Sequence, residues 1–315
     1  MKILLTGASS FTGFWFTHAL ARAGHTVYAT FQDNRNKYDA IRKRRIDALP
    51  NNVNCLWDTS LGSERLLEAI ASEGSWDLVC LHGAYVTGYR SSNFDVVEAL
   101  RNNTAGLQVA LEKLAAKGLR GVLVTGSLFE ADEGAGEEPL RAFSPYGLSK
   151  TLTWKTEQYL AQILDLRLGK LVIPNPFGPY EEPRFTAYLI KTWYAGKAAE
   201  VRTPLYVRDN IHVTKLAAHY AQYAEKLVTG TAAPRCSPMG YAESQGAFTL
   251  RFAAEMKKRL ELPCEVILGQ QTDFSEPLMR VNTQAEQLPE SEWDETLAWD
   301  ELAAYYEAEL AMARS

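Results

Sequence analysis

The stretch KILLTGASSFTGFWF at the start of the chain constrains the fold more than any other. Lys2–Leu5 is a short apolar run without polar alternation, as expected of a strand buried on both faces. A loop of small residues follows from Thr6 to Gly13, and a helical pattern runs on to about Ala23. Strand, glycine-rich turn and helix in this order make a phosphate cradle. Free backbone N–H groups at the helix start face the turn, and the helix dipole favours an anion there. Gly7 permits the sharp turn, and Gly13 lets helix and sheet approach closely. The N–H groups around Ser10, Phe11 and Thr12 are the ones placed to hold a pyrophosphate. Ser10 stands where a middle glycine is expected. Its Cβ keeps the backbone further from a ligand, while its hydroxyl is a candidate phosphate donor.

The alternation continues. Thr26–Phe31, Val53–Trp57, Leu78–His82, Gly121–Thr125 and Leu168–Ile173 read as strands. Helical patterns fall between them, at about Leu66–Ala71, Phe94–Lys117 and Tyr146–Ile163. Strands separated by helices predict an α/β fold: a doubly wound parallel-sheet (Rossmann) domain over residues 1–173. After Pro174, prolines and aromatic residues become frequent and the alternation turns irregular. Residues 174–315 are therefore expected to form a smaller mixed α/β substrate-binding lobe, with about 205–225 returning to the first domain. Trp293–Arg314 reads as a polar turn and an acidic helix.

Composition narrows the partners. With 315 residues and 46% hydrophobic content the chain can bury a sizeable core. A net charge of −5 without a basic stripe argues against nucleic acid. The run Arg42–Arg45 reads as a solvated helix face. Cys55, Cys80, Cys236 and Cys264 have no paired spacing, which suits reduced thiols in a cytoplasmic protein. No His or Cys spacing suits a metal, and no apolar run reaches the ~20 residues of a membrane span.

The second strand ends in Thr30, Phe31 and Gln32, with no carboxylate before Asp33 and with Arg35 and Lys37 just beyond. An acidic residue at this point holds the ribose hydroxyls of NAD, whereas nearby cations suit a 2′-phosphate. NADP(H) is thus favoured, with NAD(H) as the alternative. Asp58, at the end of the third strand, is placed to accept from an adenine amino group or, equally, to start a turn. Tyr146 and Lys150 stand four apart at the start of a helix and share one face. An ammonium beside a phenol favours the phenolate, which makes Tyr146 a candidate acid/base. His82 and His212 lie in apolar strand contexts and read as packed side chains.

Several segments in this order resemble the extended short-chain dehydrogenase/reductases, in the nucleotide-sugar epimerase/dehydratase/reductase group. Thr6–Gly13 is similar to the group's TGxxGxxG loop, apart from Ser10. Leu81–Ala84 resembles its fourth-strand end, Asn103–Gly106 its Asn-x-x-Gly, and Thr125–Phe129 its Ser/Thr-x-x-x-Tyr segment. Pro174–Pro179 resembles PxNxYGP, and Arg208–Val213 resembles RDYIHV. The resemblance implies Tyr146 as acid/base, Lys150 on the nicotinamide ribose, and the Thr125 hydroxyl on the reacting sugar oxygen, with Ser127 as fallback. It also implies Gly83, Ala84 and Ile173 at the cofactor, and Asn175 and Arg208 on a nucleotide diphosphate. Gly126 and Ser127 stand where a 4,6-dehydratase carries acidic residues, so that reaction is set aside. An NADPH-dependent 4-ketoreductase is expected first, and a 4-epimerase with retained NAD second. A non-catalytic NADP-sensing or scaffold protein is the reading from another class. The resemblance further implies a homodimer through the helices about Phe94–Lys117 and Tyr146–Ile163.

Overall fold

Seven parallel strands make the sheet that carries the glycine-rich loop. In a computed structural model describing residues 1–285 and 288–312, they run β3-β2-β1-β4-β5-β7-β11. The strands are β1 (Lys2–Leu5), β2 (Thr26–Thr30), β3 (Asn54–Leu56), β4 (Leu78–Leu81), β5 (Gly121–Ser127), β7 (Arg167–Ile173) and β11 (Arg235–Cys236). Ile3 is in register with Val27 on one side and Leu78 on the other. The chain fills one side of β1 with β2 and β3, then crosses to lay β4 on the other. That reversal opens a crevice at the C-terminal ends of β1 and β4, the place where open α/β sheets bind ligands.

Helices α1 (Phe11–Arg22), α2 (Ala40–Asp47), α3 (Glu64–Ser72), α4 (Val96–Thr104), α5 (Leu107–Ala116) and α6 (Pro145–Ile163) cover this sheet. It belongs to a unit of Met1–Glu133, Pro139–Ile173 and Ala217–Ser237. Leu4, Val79, Val122 and Val124 pack with Leu107, Leu111 and Trp154 in one cluster. Each fully buried side chain of this kind contributes about 1.5–3 kcal/mol. Phe16 of α1 stacks on Tyr220 with centroids 3.8 Å apart. The single helix expected over Phe94–Lys117 is instead two. Gly106 breaks it with φ +70°, and a Cβ there would come within 2.5 Å of the Gly62 Cα. That close approach requires glycine on both sides.

The second unit comprises Gly134–Glu138, Pro174–Leu216 and Pro238–Ser315. The segment returning to the first unit is thus Ala217–Ser237 rather than 205–225, and Gly134–Glu138 joins the second. Its mixed sheet contains β6 (Ala135–Gly136), β8 (Asn175–Phe177), β10 (Val207–His212), β12 (Tyr241–Ser244) and β14 (Met279–Val281). A separate parallel pair joins β9 (Ala199–Val201) to β13 (Val266–Leu268). α7 (Phe185–Tyr194), α9 (Gln245–Lys257) and α10 (Glu295–Met312) supply Trp193, Phe248, Phe252 and Trp299 to one core cluster with Phe177. α8 (Val213–Thr229) contributes to both units. Among the described residues no helix is long and apolar enough to cross a membrane.

Candidate active site

The loop after β1 is built as its sequence predicts, with one change of role. Gly7 has φ +76°, and a Cβ on it would stand 2.8 Å from the Gly83 Cα. A Cβ on Gly13 would collide with the Gly7 carbonyl. Ser10, by contrast, has φ −74° and ψ 165°, a conformation any residue adopts. It is the N-cap of α1. Its Oγ accepts from Gly13 N at 3.1 Å, donates to Gly7 O at 2.9 Å and lies 2.9 Å from His82 Nε2. A serine hydroxyl has one proton and two lone pairs. With that proton on Gly7 O, His82 must donate from Nε2, and all three sites on Oγ are filled. Ser10 therefore has no hydrogen left for a phosphate.

His82 is the partner that sequence reasoning did not connect to the loop. Its N and Gly83 N both donate to Thr6 Oγ1, at 3.0 and 2.9 Å. Its Nε2 also lies 3.2 Å from Thr12 Oγ1. Burial, aided by the Lys150 ammonium, holds the imidazole down at about 3, so it is neutral under ordinary conditions. A dinucleotide pyrophosphate fits this loop. Gly13 N and Phe14 N bond to Ser10, whereas Phe11 N and Thr12 N make no hydrogen bond among the described residues. Those two orphan donors at a helix N-terminus point to an anion.

The end of β2 carries no carboxylate before Asp33. Thr30 and Phe31 are buried, and Phe31 stacks on Trp57. Asp33 pairs with Lys37 at 3.2 Å, and Arg35 with Asp47 at 2.6 Å, all four on the surface. Asp58 is exposed at φ +53° and meets Arg65 at 3.4 Å. Arg45 departs from the solvated face expected for the run Arg42–Arg45: it is fully buried, donates to Ser9 O at 3.2 Å and lies over the Phe11 ring.

Pro145 occupies the first turn of α6 and Ser144 caps it, with its Oγ accepting from Gly147 N at 3.3 Å. Tyr146 and Lys150 thereby start the helix. The Tyr146 ring meets Tyr89 and Phe94 edge-on, with centroids 5.5 and 6.0 Å away. Lys150 is buried and donates to Thr125 O at 2.8 Å. Only the Thr125 carbonyl faces the lysine. Its hydroxyl is buried beside the phenol of Tyr220, without a well-formed hydrogen bond, on the sheet face that α8 covers. Ser127, two residues on at the strand end, is half-buried. Its Oγ accepts from Phe129 N at 3.2 Å, which leaves the hydroxyl proton free to donate. The carbonyl of Ile173, at the end of β7, accepts from Leu128 N at 2.9 Å.

These features share one sheet edge, since parallel β1, β4, β5 and β7 end on the same side. A model of the NAD dependent epimerase/dehydratase family matches residues 3–233. The chain belongs to that family. Its fold is that of solved epimerase and dehydratase structures. UDP-glucose 4-epimerase of Thermotoga maritima with UDP-glucose is 18% identical, covering 98% of this chain and 100% of that one, with a TM-score of 0.70. UDP-glucuronic acid 4-epimerase of Bacillus cereus with UDP-glucuronic acid and NAD is 17% identical, covering 98% and 99%, at 0.71. The dTDP-glucose 4,6-dehydratase DesIV of Streptomyces venezuelae with NAD is 14% identical, covering 99% and 98%, at 0.69. A search of curated proteins returned no match.

Two predicted family residues lie in the second unit. Asn175 is in register with Asn210 of β10. Arg208 ion-pairs with Glu276 at 2.7 Å, donates to the carbonyls of Val207 and Pro277 at 3.0 Å, and lies over Tyr206. A carboxylate thus sits on the guanidinium expected to hold a diphosphate.

Proposed function

We propose that this epimerase/dehydratase-family chain is an oxidoreductase of nucleotide-diphosphate sugars, with Tyr146 as acid/base and NADP(H) as its favoured cofactor. The observation that carries the reading is the placement of Tyr146 and the buried Lys150 at the sheet edge that also bears the orphan N–H groups of Phe11 and Thr12. Bound at that edge, the nicotinamide supplies or takes up the hydride at the reacting sugar carbon. Gly7, Phe11, Thr12, Gly13, Gly83 and Ala84 hold the dinucleotide, and Lys150 holds its ribose. The Tyr146 phenol exchanges a proton with the sugar oxygen. The Ser127 hydroxyl, in place of the buried Thr125 hydroxyl, donates a hydrogen bond to that oxygen. Asn175 and Arg208 grip the diphosphate, and Glu276 must yield to it.

Reduction of a 4-keto sugar is the first reading, because the second strand offers no ribose carboxylate and Arg35 stands nearby. Gly126 and Ser127 supply no acid for water loss. A 4-epimerase with retained NAD is the second reading, favoured by the NAD-dependent family description and by neighbours that are 4-epimerases of UDP sugars. Incubation with NADPH and a panel of nucleotide 4-keto-6-deoxy sugars separates the two. Reductase activity consumes reduced nicotinamide, whereas an epimerase converts stable nucleotide hexoses without net consumption. Leu148, Leu152, Tyr159 and Ile163 form an exposed apolar stripe on α6, and Val97 is exposed on α4. These residues support a homodimer through the two helices, and light scattering at micromolar concentration tests it.

A further inference from the structure

Lys170 lies in the middle of β7, where a parallel sheet ordinarily carries apolar residues, and is 1% exposed. Its Nζ donates to Glu130 at 2.5 Å and to Glu133 at 2.6 Å, and lies 4.8 Å over the Trp154 ring. Glu133 also meets Arg235 at 3.2 Å. The stem of Lys170 passes beside Gly126, where any Cβ would overlap its Cε. A side chain at the position before Ser127 would therefore displace the lysine. Glu130 divides its two oxygens: Oε2 takes the ammonium, and Oε1 accepts from Ser127 N at 2.7 Å. Glu130 N in turn donates to Ser127 O at 3.0 Å. The turn bearing the Ser127 hydroxyl is thus tied at both its N–H and its carbonyl to one buried carboxylate residue. Buried ion clusters of this kind are a poor source of stability, since apolar residues serve as well.

We propose that Glu130, clamped by Lys170, is a positioning residue that sets the Ser127 hydroxyl for the reacting oxygen. The proposal rests on the assignment of Ser127 above. Glu130→Gln is the sharp perturbation. An amide has one carbonyl oxygen, so it satisfies either Ser127 N or Lys170 Nζ and turns its NH₂ on the other. Turnover should fall about tenfold or more, with KM and cofactor affinity within about twofold. In a Ser127→Ala background the same change should have less than about a twofold effect, because the hydroxyl it positions is gone. Adding Lys170→Met to Glu130→Gln lets the amide carbonyl turn to Ser127 with no ammonium behind it, and turnover should recover to within about threefold of the parent. Hydrogen exchange of the Ser127 amide gives a readout independent of substrate. It should quicken about tenfold in Glu130→Gln while β1 amides stay protected.

An equal loss in both backgrounds, no recovery in the double variant, or unchanged Ser127 exchange would overturn the proposal. Should Glu130→Gln fail to fold, the double variant and Lys170→Met alone carry the same comparison. If Ser127→Ala loses turnover while Glu130→Gln keeps it, the proposal fails and the functional reading stands. If the parent acts on no nucleotide sugar, that reading fails, and the exchange measurement alone decides whether Glu130 fixes the turn.

Discussion

Replacing Ser10 with glycine restores the residue expected at the middle of the loop, and the structure predicts that the protein is worse for it. Ser10 already has a backbone conformation open to any residue, so glycine relieves no strain. It adds chain entropy to the unfolded state, about 0.5–1 kcal/mol, and weakens the α1 cap by a few tenths. It also removes the Oγ that pairs with the half-buried His82 at Nε2, 2.9 Å away, leaving only Thr12 at 3.2 Å. A lost hydrogen bond of this kind costs about 1 kcal/mol. Together these effects destabilise the first unit by about 2 kcal/mol, which lowers Tm by about 4–8 °C. Dinucleotide affinity should change by less than about threefold, because the hydroxyl proton is held by Gly7 O. Calorimetry gives Tm, and fluorescence titration with NADPH gives Kd. In a cycle with His82→Leu, the two sites should couple by about 1 kcal/mol. A tenfold loss of NADPH affinity at unchanged Tm would refute the inward-facing hydroxyl.

Burial raises the Glu157 carboxyl to about 8 against an ordinary 4.5; Lys150 opposes, Glu130 adds, and Lys170 opposes. The folded protein therefore binds the extra proton, and stability from this group is lost as pH rises from 4.5 to about 8. Glu157→Gln should flatten that decline, raising Tm at pH 8 relative to the parent and not at pH 4.5; parallel curves would contradict it. Glu276 is 58% exposed and competes for Arg208. Glu276→Gln should tighten nucleotide diphosphate binding about twofold to threefold by calorimetry, since exposed ion pairs are worth under about 1 kcal/mol. NADPH should bind tighter than NADH, and Asp47→Asn, which releases Arg35, should widen the ratio; an NADH preference would refute the 2′-phosphate argument.

The sheet was legible in the sequence because parallel strands buried on both faces have no solvent alternation, so Lys2–Leu5 and Leu78–Leu81 stand out against helical spacing. The helix break at Gly106 was not, since it depends on contact with Gly62, 44 positions away in the sequence. Tyr146 and Lys150 could be paired from spacing alone, because helical neighbours are local. Thr125 and Ser127 could not be told apart, because what separates them is Tyr220, a residue nearly a hundred positions further on. The same holds for Ser10 and His82, and for Lys170 with Glu130. A lysine inside an apolar strand was the one visible signal of that last pair, and only the fold names its partners. The last three residues, and Glu286 and Gln287, lie outside the described ones, so the expected helix to Arg314 is seen to Met312.

In the proposed mechanism the Tyr146 phenol moves the proton while the loop holds the dinucleotide. Turnover of a nucleotide sugar by Tyr146→Phe, measured beside its NADPH affinity, tests this most directly. Turnover should fall about a thousandfold or more, with Kd for NADPH within about threefold of the parent. A Tyr146→Phe protein that turns over substrate like the parent would contradict it.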